Sequence, residues 1–184
     1  MKQIFIDAFV LQPIPATREY AEQIYNIFTN DADSFKYWFD GGCYNSIDEV
    51  LKNYQKQTQN TDSVWKTDMY GIFKDNELLG EIGLSGIDTK NQTGEIGYWL
   101  KKSARGKGII TKLIPEIEKI AFAELKLRKI NIWCDEDNIA SRKHAEKQGY
   151  VLEGIQRERK LWPDGSIHST LMFGKLKSEW KGTL

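Results

Sequence analysis

Between Glu95 and Ile120 the chain reads EIGYWLKKSARGKGIITKLIPEIEKI. An alternating apolar strand runs into the basic loop Arg105-Gly106-Lys107-Gly108, and a helix-period pattern follows at once. The first amides of a helix lack intrahelical acceptors and point outward, and the helix dipole adds partial positive charge there. Gly106 and Gly108 carry no Cβ to keep a phosphate from the main chain. The loop therefore reads as an anion cradle for a phosphorylated ligand. A dinucleotide-binding reading is poorer. The third glycine of that pattern would fall at Thr111, and no opening strand-helix-strand unit of about 30 residues surrounds the loop.

Periodicity supplies the elements that must position this loop. Phe5 to Gln12 reads as one strand, ended by Pro13 and Pro15. Tyr20, Ile24, Ile27 and Phe28 have helix spacing, with Thr17 as a plausible N-cap. Ser46-Ile47-Asp48-Glu49 is a capping box opening a second helix to about Thr58. Lys66 to Phe73 and Leu78 to Ser85 form a hairpin around Lys74-Asp75-Asn76-Glu77, and Glu95 to Leu100 is the next strand. Ile110, Leu113, Ile114, Ile117, Ile120, Ala121 and Leu125 make a one-sided stripe. It stays in phase past Pro115, so one helix is expected despite the hydrogen bond that a proline removes. Lys129 to Cys134 is a strand, and a short helix over Ile139 to Gln148 stops at Gly149. Tyr150 to Leu161 and Ile167 to Leu176 are the last strands, joined through Pro163-Asp164-Gly165. The order β-α-α-β-β-β-α-β-α-β-β predicts a mixed sheet.

The 184 residues suit one domain, 1–184. Lys plus Arg (26) equals Asp plus Glu (26), so bulk charge gives no nucleic-acid footprint. No apolar run approaches the roughly 18 residues that span a bilayer. MKQIFIDAFVLQP lacks the apolar core and cleavage site of a signal peptide. Cys43 and Cys134 are too few for a disulfide framework and read as free thiols of a cytoplasmic protein. Cys134 and His144 are near in sequence, but no pair has zinc spacing, so no metal is expected. The abundant aromatics read first as core. Trp38, Trp99 and Trp162 are nearest the presumed substrate face.

An ordered set of motifs carries a resemblance over nearly the whole chain. They are Gly80-Glu81-Ile82-Gly83-Leu84, Glu95-Ile96-Gly97-Tyr98-Trp99-Leu100, Arg105 to Ile110, Asn138-Ile139-Ala140-Ser141, Gly149-Tyr150 and Glu179-Trp180. The chain resembles the GNAT superfamily of N-acetyltransferases, in the branch of the Rim-type ribosomal-protein N-terminal acetyltransferases. The resemblance implies an α+β fold, with a mostly antiparallel twisted sheet of about seven strands and about four helices. It implies acetyl-CoA as donor, held at its pyrophosphate by the amides of Arg105, Gly106, Lys107, Gly108, Ile109, Ile110 and Thr111. The family's last loop position is Gly or Ala; here it is Ile110, a departure the Rim-type branch tolerates.

Acetyl transfer to an amine needs a base for the ammonium, donors for the thioester oxyanion, and a proton donor near the leaving thiolate. It also needs both substrates aligned. By resemblance Glu95 is the candidate base, with Glu81 the alternative carboxylate. An α-amine, with its pKa near 7.7 to 8.0, can also react without one. The resemblance implies an oxyanion donor at a backbone amide near Leu100, where relatives splay the strand with a bulge. Asn138 reads as an N-cap, and the family adds a hydrogen bond to the pantetheine arm. Ser141 is placed near the CoA sulfur as proton donor, because the tyrosine of many members is replaced here by Ala145. Arg142 and Lys143 are candidates for the CoA phosphates. In the last hairpin Ser169 takes the place of an acidic residue, and Asp31, Asp33 and Asp40 are other sources of negative charge. His168 reads as a surface histidine. The expected acceptor is a primary amine, foremost a protein or peptide N-terminus. A polyamine or aminoglycoside acceptor and a non-catalytic acyl-CoA-binding module are the alternatives. Neither nucleic acid nor membrane is an expected partner, and relatives suggest a monomer or homodimer.

Overall fold

The computed structural model describes residues 2–31, 33, 36–37, 44–59, 65–162 and 164–182. Trp38, Asp40, Cys43 and Pro163, named above, lie outside the described residues. The strands are β1 (Ile4–Ile6), β2 (Phe9–Pro13), β3 (Trp65–Lys74), β4 (Glu77–Asp88), β5 (Thr93–Leu100), β6 (Lys129–Asp135), β7 (Val151–Leu161) and β8 (Ile167–Leu176). The α-helices are α1 (Arg18–Asn30), α2 (Ile47–Gln59), α3 (Ile109–Lys119) and α4 (Ile139–Lys147). The sheet order is β1-β2-β3-β4-β5-β6-β8-β7, and among the described residues β5–β6 is its one parallel pair.

The run expected as one strand from Phe5 to Gln12 is a hairpin, β1 paired with β2. That makes eight strands. Asp7 turns the chain at φ 52. Aspartate tolerates this left-handed conformation better than most residues, but without a glycine the turn leaves little trace in the sequence.

The helix carrying Pro115 is continuous to Lys119 and then widens into a π turn, Ile120–Glu124. Proline has no N–H for the carbonyl four residues back, which is that of Thr111. The Gln148 side-chain amide, arriving from the end of α4, donates to that carbonyl at 2.7 Å. Ile109, Ile110, Leu113, Ile114 and Ile117 are buried. Each is worth about 1.5–3 kcal/mol on burial, which together outweighs a proline penalty of about 3 kcal/mol.

Two apolar clusters sit on opposite faces of the sheet. One gathers the α3 stripe with Ile82, Ile96, Ile130, Ile132 and Phe173. The other gathers Tyr20, Ile24 and Phe28 of α1 and Val50 and Tyr54 of α2 with Met69, Leu78 and Trp99. Successive strand residues point to opposite faces. Ile96, Tyr98 and Leu100 therefore address α3 and α4, while Glu95 and Trp99 address α1 and α2.

β5 and β6 pair only at Thr93↔Lys129, Gly94↔Ile130 and Glu95↔Asn131, and then part. On its other side β5 stays in register with β4 from Ser85↔Glu95 to Gly80↔Leu100. The irregularity between those strands lies at Ser85/Asp88, so the bulge expected near Leu100 is not there. Divergence from β6 opens the sheet instead. Lys101 N donates to Leu79 O, which fixes the parity of the ladder. Odd-numbered residues of β5 turn their backbone groups to β4, and even-numbered ones toward β6. The Tyr98 and Leu100 amides thus face the opening.

Candidate active site

The opening forms a cavity of about 890 Å³. Its lining includes Glu95, Tyr98, Leu100, Arg105, Gly106, Ile110, Cys134, Asn138 and Ser141. The fold brings the candidates Glu95, Leu100, Arg105, Gly106, Ile110, Asn138 and Ser141 together at one place, beside Tyr98 and Cys134.

The loop Arg105-Gly106-Lys107-Gly108 is built as its glycines require. Gly106 and Gly108 have φ 73 and 71, and nothing lies within 4 Å of a Cβ placed on either. Gly108 caps the N-terminus of α3. The space over the loop is open, the amides of Ile109, Ile110 and Thr111 start the helix, and Lys107 is exposed. These features fit a CoA pyrophosphate. Ile109 and Ile110 bury their side chains, so only their main-chain groups are available to a ligand. Arg105 donates through Nε to Leu100 O at 3.0 Å, tying the loop to the end of β5. Thr111 Oγ1 lies 3.1 Å from His144 Nδ1. Burial, and after it the Lys147 charge, holds the His144 pKa below the ordinary value. Arg142 is engaged with Glu146 at 2.9 Å.

Asn138 is the N-cap of α4, its Oδ1 accepting from Ser141 N at 3.1 Å. The cap aims the buried Ser141 into the cavity, where its Oγ lies 2.9 Å from Tyr98 Oη. Tyr98 was missed as a site residue. The available signal is its place in phase with Ile96 and Leu100 on the strand before the loop. No phenol comes from position 145, which is a buried alanine; one arrives from β5 instead. Burial pushes the Tyr98 pKa far up, with the Ser141 hydrogen bond opposing, so the phenol stays protonated. Burial also pushes the Cys134 thiol up to about 11.

Glu95 lines the same cavity from the α1–α2 face. Burial raises its pKa, and the charges of Arg159 and Lys160 oppose that rise. Glu81, the alternative base, is placed otherwise. It is buried, and its carboxylate accepts from Tyr20 Oη and Tyr54 Oη at 2.7 Å each and from Trp99 Nε1 at 2.9 Å. It is not part of the cavity wall. A carboxylate closed in by three donors ties the helices to the sheet, and its place outside the cavity wall favours Glu95 over Glu81 as the base.

At the other end, Ser169 N donates to Glu136 Oε1 at 2.6 Å, so a carboxylate from the loop after β6 reaches this place in the hairpin. Asp31 accepts from Lys102 N at 2.6 Å, while Asp33 lines the cavity. His168 is not the simple surface residue expected. Its Nδ1 lies 3.1 Å from Asp135 Oδ1 and its Nε2 2.9 Å from Ser166 Oγ. Ligand atoms of Asp135, Asp137 and His168 lie within 4.8 Å of one another, a grouping that sequence spacing did not suggest. Asp135 also accepts from Asp137 N at 2.9 Å and Trp162 Nε1 at 3.3 Å. Local hydrogen bonds thus account for the cluster, which clamps the β7–β8 hairpin to β6.

The sheet divides between its two parallel strands, and the glycine loop and the N-terminus of α3 stand at the split. A family model described as the acetyltransferase (GNAT) domain matches residues 10–151. The chain belongs to this family. It is 38% identical over 112 residues to YdaF of Bacillus subtilis (strain 168), provisionally named a ribosomal N-acetyltransferase, covering 61% of each chain. It is 36% identical over 96 residues to the ribosomal-protein-serine acetyltransferase of Escherichia coli (strain K12), covering 52% of this chain and 54% of that one. The match thus spans between half and two thirds of these relatives' length. The spermidine N-acetyltransferase of Vibrio cholerae in complex with CoA and spermine shares the fold, with TM-score 0.81 and 22% identity over 95% of this chain and 99% of that one.

Proposed function

We propose that this chain transfers acetyl from acetyl-CoA to a primary amine, foremost the N-terminal α-amine of a protein or peptide. The observation that carries the reading is the opening between β5 and β6. Glu95 meets it from one face of the sheet, and Ser141 with Tyr98 from the other. CoA supplies the activated acetyl group. The amides from Arg105 to Thr111 hold its pyrophosphate. The Leu100 amide, facing the opening, is the donor to the thioester carbonyl oxygen as negative charge develops there. Glu95 takes the proton from the acceptor ammonium, directly or through one water. Ser141 gives a hydrogen bond to the departing sulfur, and Tyr98 orients the serine. The curated relatives named for ribosomal proteins favour an N-terminal acceptor over a polyamine. The fold alone does not choose, since a spermidine enzyme shares it.

The test is thiol release with acetyl-CoA and separate panels of peptides and small amines. Turnover confined to polyamines overturns the acceptor. Absence of any thermal protection by excess acetyl-CoA overturns the donor, because a ligand of the native state raises apparent stability.

A further inference from the structure

The hairpin of β7 and β8 holds an irregularity that acetyl transfer as such does not require. Pairing reaches Gln156↔Thr170 and resumes at Lys160↔His168. Residues 157–159 of β7 therefore stand opposite Ser169 alone. Within this bulge Glu158 has φ 50, a conformation that a glutamate seldom adopts. Bulges bend a strand and re-aim its side chains, often beside active sites.

The side chains re-aimed here are Arg159 and Lys160, both on the cavity wall. The Arg159 guanidinium lies 4.7 Å from the centre of the Trp133 ring. Trp133 alternates with the buried Ile132 and Cys134, so it shares the sheet face of Glu95. Stacking leaves the edge of the guanidinium for a ligand, and a guanidinium held this way is pre-organised for two parallel hydrogen bonds to a carboxylate. Among the described residues no carboxylate lies within ion-pair distance of Arg159. Elsewhere on the cavity wall stand Asp33 and Lys36, of opposite charge, and Asp135 is engaged by His168 and Trp162.

The Arg159 charge thus stands beside the carboxylate proposed to receive an ammonium group. That arrangement repels an acceptor that is cationic along its length, such as a polyamine. It suits one that brings an anion with it. We infer that the acceptor carries a carboxylate close behind its amine, as a peptide beginning Ser-Asp or Ser-Glu does, and that Arg159 selects it. This inference rests on the peptide α-amine reading above.

The experiment compares kcat/KM for matched peptides beginning Ser-Asp, Ser-Ala and Ser-Lys, and for spermidine, in the wild type, Arg159→Ala and Arg159→Glu. Thermal melts confirm that each variant is folded. The wild type is expected to prefer Ser-Asp over Ser-Lys by about tenfold, less at high salt, as for any partly exposed pair. Arg159→Ala should shrink that ratio and Arg159→Glu invert it. Equal use of the acidic and basic peptides by the wild type, or a ratio unchanged in Arg159→Glu, overturns the inference and leaves the α-amine reading standing. Turnover of spermidine with no peptide acetylated overturns both.

Discussion

Tyr98 Oη and Ser141 Oγ lie 2.9 Å apart and join β5 to α4 across the place where the sheet divides. In the proposed mechanism this contact orients the serine toward the departing sulfur. Ser141→Ala is expected to lower kcat by about tenfold to a hundredfold, the low end of proton-donor catalysis. Tyr98→Phe should cost less, about three- to tenfold, because the serine remains but is less well aimed. The double variant should resemble Ser141→Ala, since residues acting as a unit are not additive. Steady-state kinetics at saturating peptide checks this. Fully multiplicative losses would show that the two hydroxyls act separately.

What the sequence revealed of this site followed its local grammar. The loop from Arg105 to Gly108 is legible because its glycines, charge and following helix are contiguous. Asn138 and Ser141 are legible because a cap and the residue it serves are three apart. Tyr98 was overlooked because its partner is 43 residues away. The enclosure of Glu81 is illegible for a similar reason. Its donors come from α1, α2 and β5, and nothing near Glu81 in sequence announces that the carboxylate is enclosed. The hairpin at Asp7 and the bulge at Glu158 are illegible in the sequence because neither turn uses the glycine that usually marks a positive φ.

Glu95 should set the acid side of the pH profile. The base acts only when ionised, and burial raises its pKa. The acid limb of kcat is therefore expected above the ordinary carboxylate range. Arg159 holds that pKa down. Removing the charge in Arg159→Ala should move the limb to higher pH, and Glu95→Gln should abolish it with a loss of about a hundredfold in kcat. A limb that stays in place in Glu95→Gln would assign it to another group.

The network at Glu81 should appear in stability. Burial raises the Glu81 pKa, and its hydrogen bonds from Trp99, Tyr20 and Tyr54 lower it. A carboxyl whose folded pKa is raised binds its proton more tightly in the native state. Its contribution to stability is thus present at low pH and is lost as pH rises from the unfolded value through the folded one. Trp99→Phe removes the first of the lowering donors and widens that window upward. The variant should lose about 1–3 kcal/mol at neutral pH, the cost of an unmatched buried polar group, and less near pH 4. Urea unfolding at both values measures this. An equal loss at both would make it a packing effect.

Gln148 and Pro115 form a pair linked by the Thr111 carbonyl. The proline withdraws the helical donor, and the glutamine replaces it at 2.7 Å. Gln148→Ala should therefore cost about 1 kcal/mol, a typical net hydrogen bond, while Pro115 is present. In a Pro115→Ala background the N–H returns, so the same Gln148→Ala change should cost far less. The difference between the two is the coupling energy of a double-mutant cycle. Thr111 lies in the first turn of α3, where the glycine loop proposed to hold the pyrophosphate meets the helix. Gln148→Ala alone should also raise the KM for acetyl-CoA several-fold, and Pro115→Ala should restore it. Urea midpoints and acetyl-CoA titrations on the four proteins of the cycle decide the matter, and equal costs in both backgrounds would break the link.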